Sequence, residues 1–378
     1  MSVLFWALMR PGLSAKRLVV KVGSAVLAGE EGLDQRAVGE IARQLARLSQ
    51  EGREVVLVSS GAVAAGMRRL GLKERPKDMP LKQALAAIGQ PLLMAHWQEA
   101  FRPHGLTVAQ VLLTAEDLSA RGRYLNAKAT LRALLDLGVI PIINENDTVA
   151  FQEIRFGDND QLSARVAALV EAGLLLLLSD VDALYEEDPK QNPLARPILE
   201  VESVEAVLGH AGEGNPLGSG GMKSKLLAAR IAGRVGIPTL LLPGRRPGAL
   251  LEALAGAPLG TYFHARRRYR GEKAWLYGLL RPKGELVLDR GAVRALKERG
   301  ASLLPAGVKE VRGRFSRGEA VRLLSEEGEE VGVGLANYAS EEIARIRGRR
   351  SAEIEELLGY RYTEEVVHRD HLALKEEA

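Results

Sequence analysis

Through the first two thirds of the chain, short uninterrupted apolar runs alternate with longer segments whose apolar positions recur at helical spacing. The runs at 17–22, 54–59, 107–113, 139–144, 174–179 and 239–242 predict strands; the segments at 34–50, 81–101, 119–137, 160–171 and 223–235 predict helices. The first of these helices shows the logic. Asp34 can cap its N-terminus, Val38, Ile41, Leu45 and Leu48 form one face, and Gly52 ends it. Continuously apolar strands separated by helices predict an α/β fold, a mostly parallel sheet in an αβα sandwich.

The texture changes after Ala265. A basic stretch at 266–270 leads into short runs at 275–279, 285–288, 302–304, 308–313, 320–324 and 331–335, punctuated by Gly and Pro, which predicts a small β-barrel. The resulting division is an N-terminal extension (1–14), a large α/β domain (15–265), a linker (266–274), a small β domain (275–360) and a tail (361–378). The apolar run at 3–9 is too short to span a bilayer and lacks the basic leader and cleavage site of a signal peptide, so no membrane association is expected.

Composition narrows the chemistry. The chain of 378 residues is 46% hydrophobic and has no Cys, which excludes disorder, a disulfide framework, a Cys-bound zinc and a thiol nucleophile. A cytoplasmic location is expected. Its 52 Lys+Arg against 48 Asp+Glu cannot make a general nucleic-acid surface. Nor does the small domain make one, since residues 274–360 hold 15 Lys+Arg and 14 Asp+Glu, which argues against RNA as a partner.

Neither a Walker A loop nor a G-x-G-x-x-G fingerprint is present, so any phosphate must be held another way. His368-Arg369-Asp370 mimics part of a protein-kinase catalytic loop, but without an Asp-Phe-Gly segment it reads as a solvated tail. More telling segments sit where strands end. Lys21-Val22-Gly23-Ser24 and Ser59-Ser60-Gly61-Ala62 put small residues, and in the first case a cation, where backbone N–H groups can approach an anion. Asn144-Glu145-Asn146-Asp147 and Gly157-Asp158-Asn159-Asp160 are dense polar clusters beside apolar strands, costly to bury unless they bind something or each other; metal binding, helix capping and a substrate-amine site all fit them. Ser179-Asp180 follows the five-leucine strand, and Gly218-Ser219-Gly220-Gly221-Met222-Lys223-Ser224-Lys225 brings a flexible backbone, a helix start and two cations together, a combination suited to polyphosphate.

Taken in order, these six motifs resemble the amino-acid kinase superfamily and, within it, the glutamate 5-kinases; the small domain, with Phe315-Ser316-Arg317-Gly318-Glu319 and Leu358-Gly359-Tyr360, resembles the PUA domain that bacterial members carry. The resemblance implies transfer of the γ-phosphoryl group of ATP to the side-chain carboxylate of L-glutamate, the first step of proline synthesis. It also implies Mg2+ on the ATP phosphates without a dedicated protein cage, feedback inhibition by proline, and a homo-oligomer, either tetramer or dimer. By motif, Lys21 and Lys225 are the lysines expected on the transferring group and Asp160 the carboxylate that orients them. Ser60, Asp147 and Asn159 match glutamate-binding positions. Lys21, Gly23, Ser179, Asp180, Ser219, Gly220, Gly221, Met222, Lys223, Ser224 and Lys225 match the nucleotide site. Arg155 stands where the family pattern has Lys, replacing a point charge by a planar fork. The rival readings are a superfamily relative acting on N-acetylglutamate or uridylate, and an RNA-binding role through the small domain.

Overall fold

The computed structural model describes residues 10–29, 32–74, 76–150, 159–187, 189, 191–210, 220–265 and 282–375. Arg155, Ser219, the basic stretch 266–270 and the expected strand 275–279 lie outside them. Contacts divide the chain into two compact units, Met1–Arg268 and Tyr269–Ala378.

The first unit runs β1 (Arg17–Val22), α1 (Ser24–Leu27), the hairpin β2 (Ala28–Gly29) and β3 (Gly32–Leu33), α2 (Gln35–Gln50), β4 (Glu54–Ser59), α3 (Ala62–Arg69) and α4 (Met79–Phe101). It continues with β5 (Val108–Leu113), α5 (Ala115–Ser119), α6 (Arg121–Asp136), β6 (Ile140–Glu145), α7 (Asn159–Leu169), β7 (Leu174–Ser179), and the short strands β8 (Leu184–Tyr185), β9 (Pro197–Ile198) and β10 (Glu200–Val201). Then come α8 (Val204–His210), α9 (Gly220–Arg234), β11 (Thr239–Pro243), α10 (Ala249–Leu254) and β12 (Thr261–Phe263). Eight of these strands form one sheet in the order β10-β12-β11-β7-β1-β4-β6-β5, parallel except where β12 meets β11. Every residue of β6 and β7 is buried, so layers cover both faces of the sheet. The segment expected as one helix at 119–137 is two, because Thr114 and Asp117 close a capping box on α5 and Ala120 is extended between α5 and α6.

Two features of this unit position the site. The first is register: Val22 pairs with both Ser59 and Leu178, and Ser179 with Pro243, so the carboxyl ends of β1, β4, β7 and β11 finish abreast. The chain reverses its direction of travel across the sheet at β1, whose neighbours are β4 and β7, and ligands of open α/β sheets bind in the crevice at such a point. The second is the close crossing of α3 and α4. A Cβ on Gly89 would stand 1.8 Å from the Ala62 carbonyl oxygen and one on Gly66 2.0 Å from that of Leu85, so only glycine lets the two backbones approach this closely.

The N-terminal extension expected for residues 1–14 is corrected from Arg10 onward. Arg10 is fully buried: its guanidinium bonds Glu200 at 2.7 Å, the Leu259 carbonyl at 3.0 Å and the Leu199 carbonyl at 3.1 Å, while the Tyr262 hydroxyl donates to the Pro11 carbonyl. A buried guanidinium is tolerated because a carboxylate and carbonyls satisfy its fork.

The second unit carries β13 (Gly284–Leu288), α11 (Arg290–Arg299), β14 (Val308–Gly313), β15 (Ala320–Leu324), β16 (Glu330–Leu335), α12 (Ser340–Ile346), α13 (Ile354–Leu358) and β17 (Leu372–Leu374). Its strands form a mixed sheet in the order β14-β13-β15-β16-β17, with its own core around Leu286, Leu323, Tyr338 and Val366. Among the described residues no pairing joins β14 to β17, and the expected strand 275–279 lies outside them. The strand expected at 302–304 reduces to a single bridge between Leu303 and Val367. The solvated tail is also corrected: Val366 and Val367 are fully buried, and β17 pairs antiparallel with β16. Around His368-Arg369-Asp370, the His368 ring accepts from the Asp370 N–H at 3.2 Å and the Arg369 N–H donates to Ser302 Oγ at 3.0 Å, which are turn-forming contacts.

Candidate active site

Alternation along β1 puts Leu18, Val20 and Val22 in the main hydrophobic core and Lys21 on the opposite face, the one against which α7 packs. Asp160 stands in the first turn of α7, fully buried. One of its oxygens meets Lys21 Nζ at 2.5 Å and the other meets Lys225 Nζ at 3.4 Å. Lys225, on the second turn of α9, also donates to the Gly221 carbonyl at 3.2 Å. Lys21 is 3% and Lys225 9% exposed, so two cations converge on one carboxylate almost out of water. Desolvating an ion costs several kcal/mol even after relaxation, so ammonium groups this deeply buried require carboxylate partners such as Asp160. Two ammonium groups brought this close suit an anionic ligand. Gly23 lies beside this ammonium, where a Cβ would stand 3.6 Å from Lys21 Nζ, in ordinary contact with it.

Beside this ionic cluster lies a neutral one. Asn159, the first residue of α7, donates through Nδ2 to Ser60 Oγ and to Asn144 Oδ1, each at 2.9 Å. Asn144 Nδ2 donates to Gln90 Oε1 at 2.8 Å, and Gln90 Nε2 to Gln110 Oε1 at 3.1 Å. Trp97 Nε1 donates to Ser59 Oγ at 2.9 Å, and Ser59 Oγ to the Ser60 carbonyl at 3.1 Å. Asp147 is half-buried and lines a cleft with Ala62, Gln90, Gln110 and Glu145. Two carboxylates on one wall of a cleft suit an ammonium group.

The structure therefore brings Lys21, Asp160 and Lys225 into one contact set, and Ser60 and Asn159 into another, with the two joined at Asn159-Asp160. At the end of β7, Ser179 Oγ donates to Asp180 Oδ1 at 3.1 Å, and the Val181 N–H points back at Ser179 Oγ at 3.4 Å. Ser179 is buried and Asp180 exposed. Along the start of α9, Gly221 and Lys223 are exposed, Met222 half-buried and Ser224 buried, so Lys223 is not part of the ionic cluster. Sequence reasoning missed Gln90, Trp97 and Gln110. The visible signal was a lone Gln between Gly89 and Pro91 in an otherwise apolar stretch of α4.

Comparison with known proteins follows the same division. The amino acid kinase family model matches residues 16–242 and the PUA domain model residues 284–358. A glutamate 5-kinase of Thermus thermophilus is 90% identical over 370 residues, 98% of this chain and 100% of its own. One of Meiothermus ruber is 61% identical over 365 residues, 96% of each chain, and one of Geobacter sulfurreducens is 51% identical over 372 residues, 97% of this chain and 100% of its own. With a family model across most of the first unit and full-length relatives at these identities, the chain belongs to the amino acid kinase family, in its PUA-bearing glutamate 5-kinase branch.

Proposed function

We propose that this site transfers the γ-phosphoryl group of ATP to the side-chain carboxylate of L-glutamate, giving L-glutamyl 5-phosphate and ADP, the first step of proline synthesis. The carrying observation is Lys21 and Lys225 on the two oxygens of the buried Asp160. A glutamate carboxylate is ionised at neutral pH and needs no general base, so the barrier is repulsion between two anions and the charge developing on the transferred group. One carboxylate oxygen forms the new bond to γ-phosphorus while the bond from γ-phosphorus to the β–γ bridging oxygen breaks, leaving its electron pair on ADP. Lys21 and Lys225 stabilise the equatorial oxygens in that transition state, and Asp160 holds both lysines at fixed positions. Gly23, whose own N–H is taken by the Leu178 carbonyl at 3.2 Å, and the backbone N–H groups of Gly220 and Gly221 line the phosphate path, and Ser179 and Asp180 belong to the nucleotide side.

On the acceptor side, Ser60 and Asn159 hold the glutamate and Asp147 receives its ammonium, supported by their position beside the ionic cluster and by the carboxylates of the cleft. Magnesium would enter with ATP, held mostly by phosphate and water oxygens, and would supply charge neutralisation on the phosphates. The donors here are ammonium and N–H groups, with both Asp160 oxygens occupied by lysines, a set that fits phosphate oxygens rather than a protein cage for a cation. No described helix is long and apolar enough to cross a membrane; a cytoplasmic homo-oligomer, dimer or tetramer, inhibited by proline completes the reading. The rivals acting on N-acetylglutamate or uridylate are not favoured by relatives that are glutamate 5-kinases along their whole length. Coupled turnover of ATP with glutamate, N-acetylglutamate, aspartate and uridylate side by side tests the assignment: glutamate should be preferred, and faster turnover of any other acceptor would overturn it.

A further inference from the structure

Three side chains of α4, spaced by seven, reach three different segments of the acceptor site. Gln83 Nε2 donates to the Ala150 carbonyl at 3.3 Å, just beyond Asp147; Gln90 Oε1 accepts from Asn144 at 2.8 Å; Trp97 Nε1 donates to Ser59 Oγ at 2.9 Å. Seven residues fall about 20° short of two full helical turns, so the three stay on one stripe. Gln90 is 8% exposed and Trp97 fully buried. A packed interior accepts such polar groups only with partners, and here each partner is part of, or next to, a proposed glutamate ligand.

The hydrogen bonds also have a direction. The Glu145 backbone N–H, which can only donate, bonds Asn144 Oδ1 at 2.9 Å. That makes Oδ1 the acceptor and Nδ2 the donor toward Gln90, whose own orientation is braced by Gln110. Asn144 Oδ1 in turn accepts from Asn159 Nδ2, which also donates to Ser60 Oγ. Because Ser60 Oγ accepts there, its own hydrogen is directed elsewhere, and the Asn159 carbonyl is turned away from Asn144. A donor and an acceptor are thereby set in fixed orientations before the substrate arrives, and preorganisation of this kind lowers the cost of binding.

We propose that the stripe positions the glutamate site: Gln90 acts through Asn144 to orient Asn159 and Ser60, and Gln83 acts through the Ala150 carbonyl on the segment that carries Asp147. The inference rests on the assignment of Ser60, Asp147 and Asn159 to glutamate. Gln90→Met keeps the length of the side chain and removes its amide. In the full-length enzyme the glutamate KM should rise about ten-fold while the ATP KM stays within about two-fold, a split that a loss of packing alone would not make. In an Asn144→Ala background the same substitution should add less than about two-fold, because the residue it acts through is gone. An unchanged glutamate KM in a Gln90→Met enzyme that melts like the parent would overturn the proposal, as would full additivity with Asn144→Ala. If Gln90→Met does not fold, the half-buried Gln83→Met decides: a rise in glutamate KM of roughly three-fold supports the stripe and no rise refutes it. Ser60→Ala and Asp147→Ala run alongside. Unchanged glutamate KM in both would refute the acceptor-site assignment itself and this proposal with it, whereas a rise in those two but not at Gln90 refutes the positioning role alone.

Discussion

The two polar clusters that meet at Asn159-Asp160 are built from opposite materials. On the phosphoryl side, Lys21, Asp160 and Lys225 put two cations and one anion within 3.4 Å contacts at exposures of 3%, 0% and 9%. On the acceptor side, Ser60, Asn159, Asn144, Gln90 and Gln110 form a chain of neutral hydrogen bonds. In the proposed reaction the ionic cluster answers charge that shifts during transfer, for which buried ions are strong, while the neutral cluster helps recognise a substrate whose charges and shape are fixed. Under the same proposal neutral amides supply geometry without the desolvation cost of further buried ions, and the half-buried Asp147 supplies the charge. Ion pairs in the second unit differ from both. Arg312–Glu310 at 2.9 Å and Arg290–Glu327 at 3.0 Å are exposed pairings, the kind worth little to stability.

The contrast predicts different failures. Lys21→Ala and Lys225→Ala should each lower kcat by roughly 100-fold or more, about 2.7 kcal/mol of transition-state stabilisation, in enzymes that still fold; near-normal kcat in both would remove them from the chemistry. Asp160→Ala should do something else, because it leaves two buried ammonium groups without their shared carboxylate. Thermal and denaturant unfolding should show a loss of about 3–5 kcal/mol on top of lost turnover. On the acceptor side, Asp147→Ala and Ser60→Ala should raise the glutamate KM by on the order of ten-fold or more with the ATP KM little changed, Asp147 the more because it meets a charge. Equal rises for both substrates would dissolve the distinction between the two sides.

Smaller effects are expected away from the cleft. Every residue assigned to chemistry lies before Ala228, so a chain ending after Ala265 should keep kcat within about three-fold, with its assembly or proline response as the properties that change. A folded but inactive truncation would mean that the second unit completes the site. The smallest effect concerns acid stability. Burial tends to raise the Glu54 carboxyl, but Arg17 at 2.6 Å and Lys16 at 3.3 Å outweigh it and hold its pKa below the usual carboxylate range. The stability this contributes is present above the unfolded-state pKa and is lost as pH falls through the lower folded one. Glu54→Gln should therefore flatten the acid limb of the unfolding midpoint against pH while leaving activity at neutral pH alone.

Much of the molecule is written locally in the sequence. Alternating apolar runs and helical patterns placed β1, β4, β7 and α2 within a residue or so of where they are found, and the polar motifs at strand ends singled out Lys21, Ser60, Asn159, Asp160 and Lys225, which the fold brings into two contact sets. Those signals are readable because strand and helix periods, caps and turn residues act over a few neighbours. Other features needed the tertiary structure. Arg10 reads as part of a loose extension until Glu200, 190 residues away, supplies its partner, and residues 361–375 read as a tail until β16 offers an edge for β17. Gln90 looks like a lone polar break in an apolar helix, because its acceptor role depends on Asn144, 54 residues on, arriving at the same depth. The convergence of Lys21 and Lys225 on the two oxygens of Asp160 is likewise a product of sheet register and helix packing. The sequence determined which elements form and which residues are chemically capable; the long-range pairing of buried polar groups was decided by the tertiary fold, because a hydrogen bond or ion pair out of water depends on partners that no local pattern specifies.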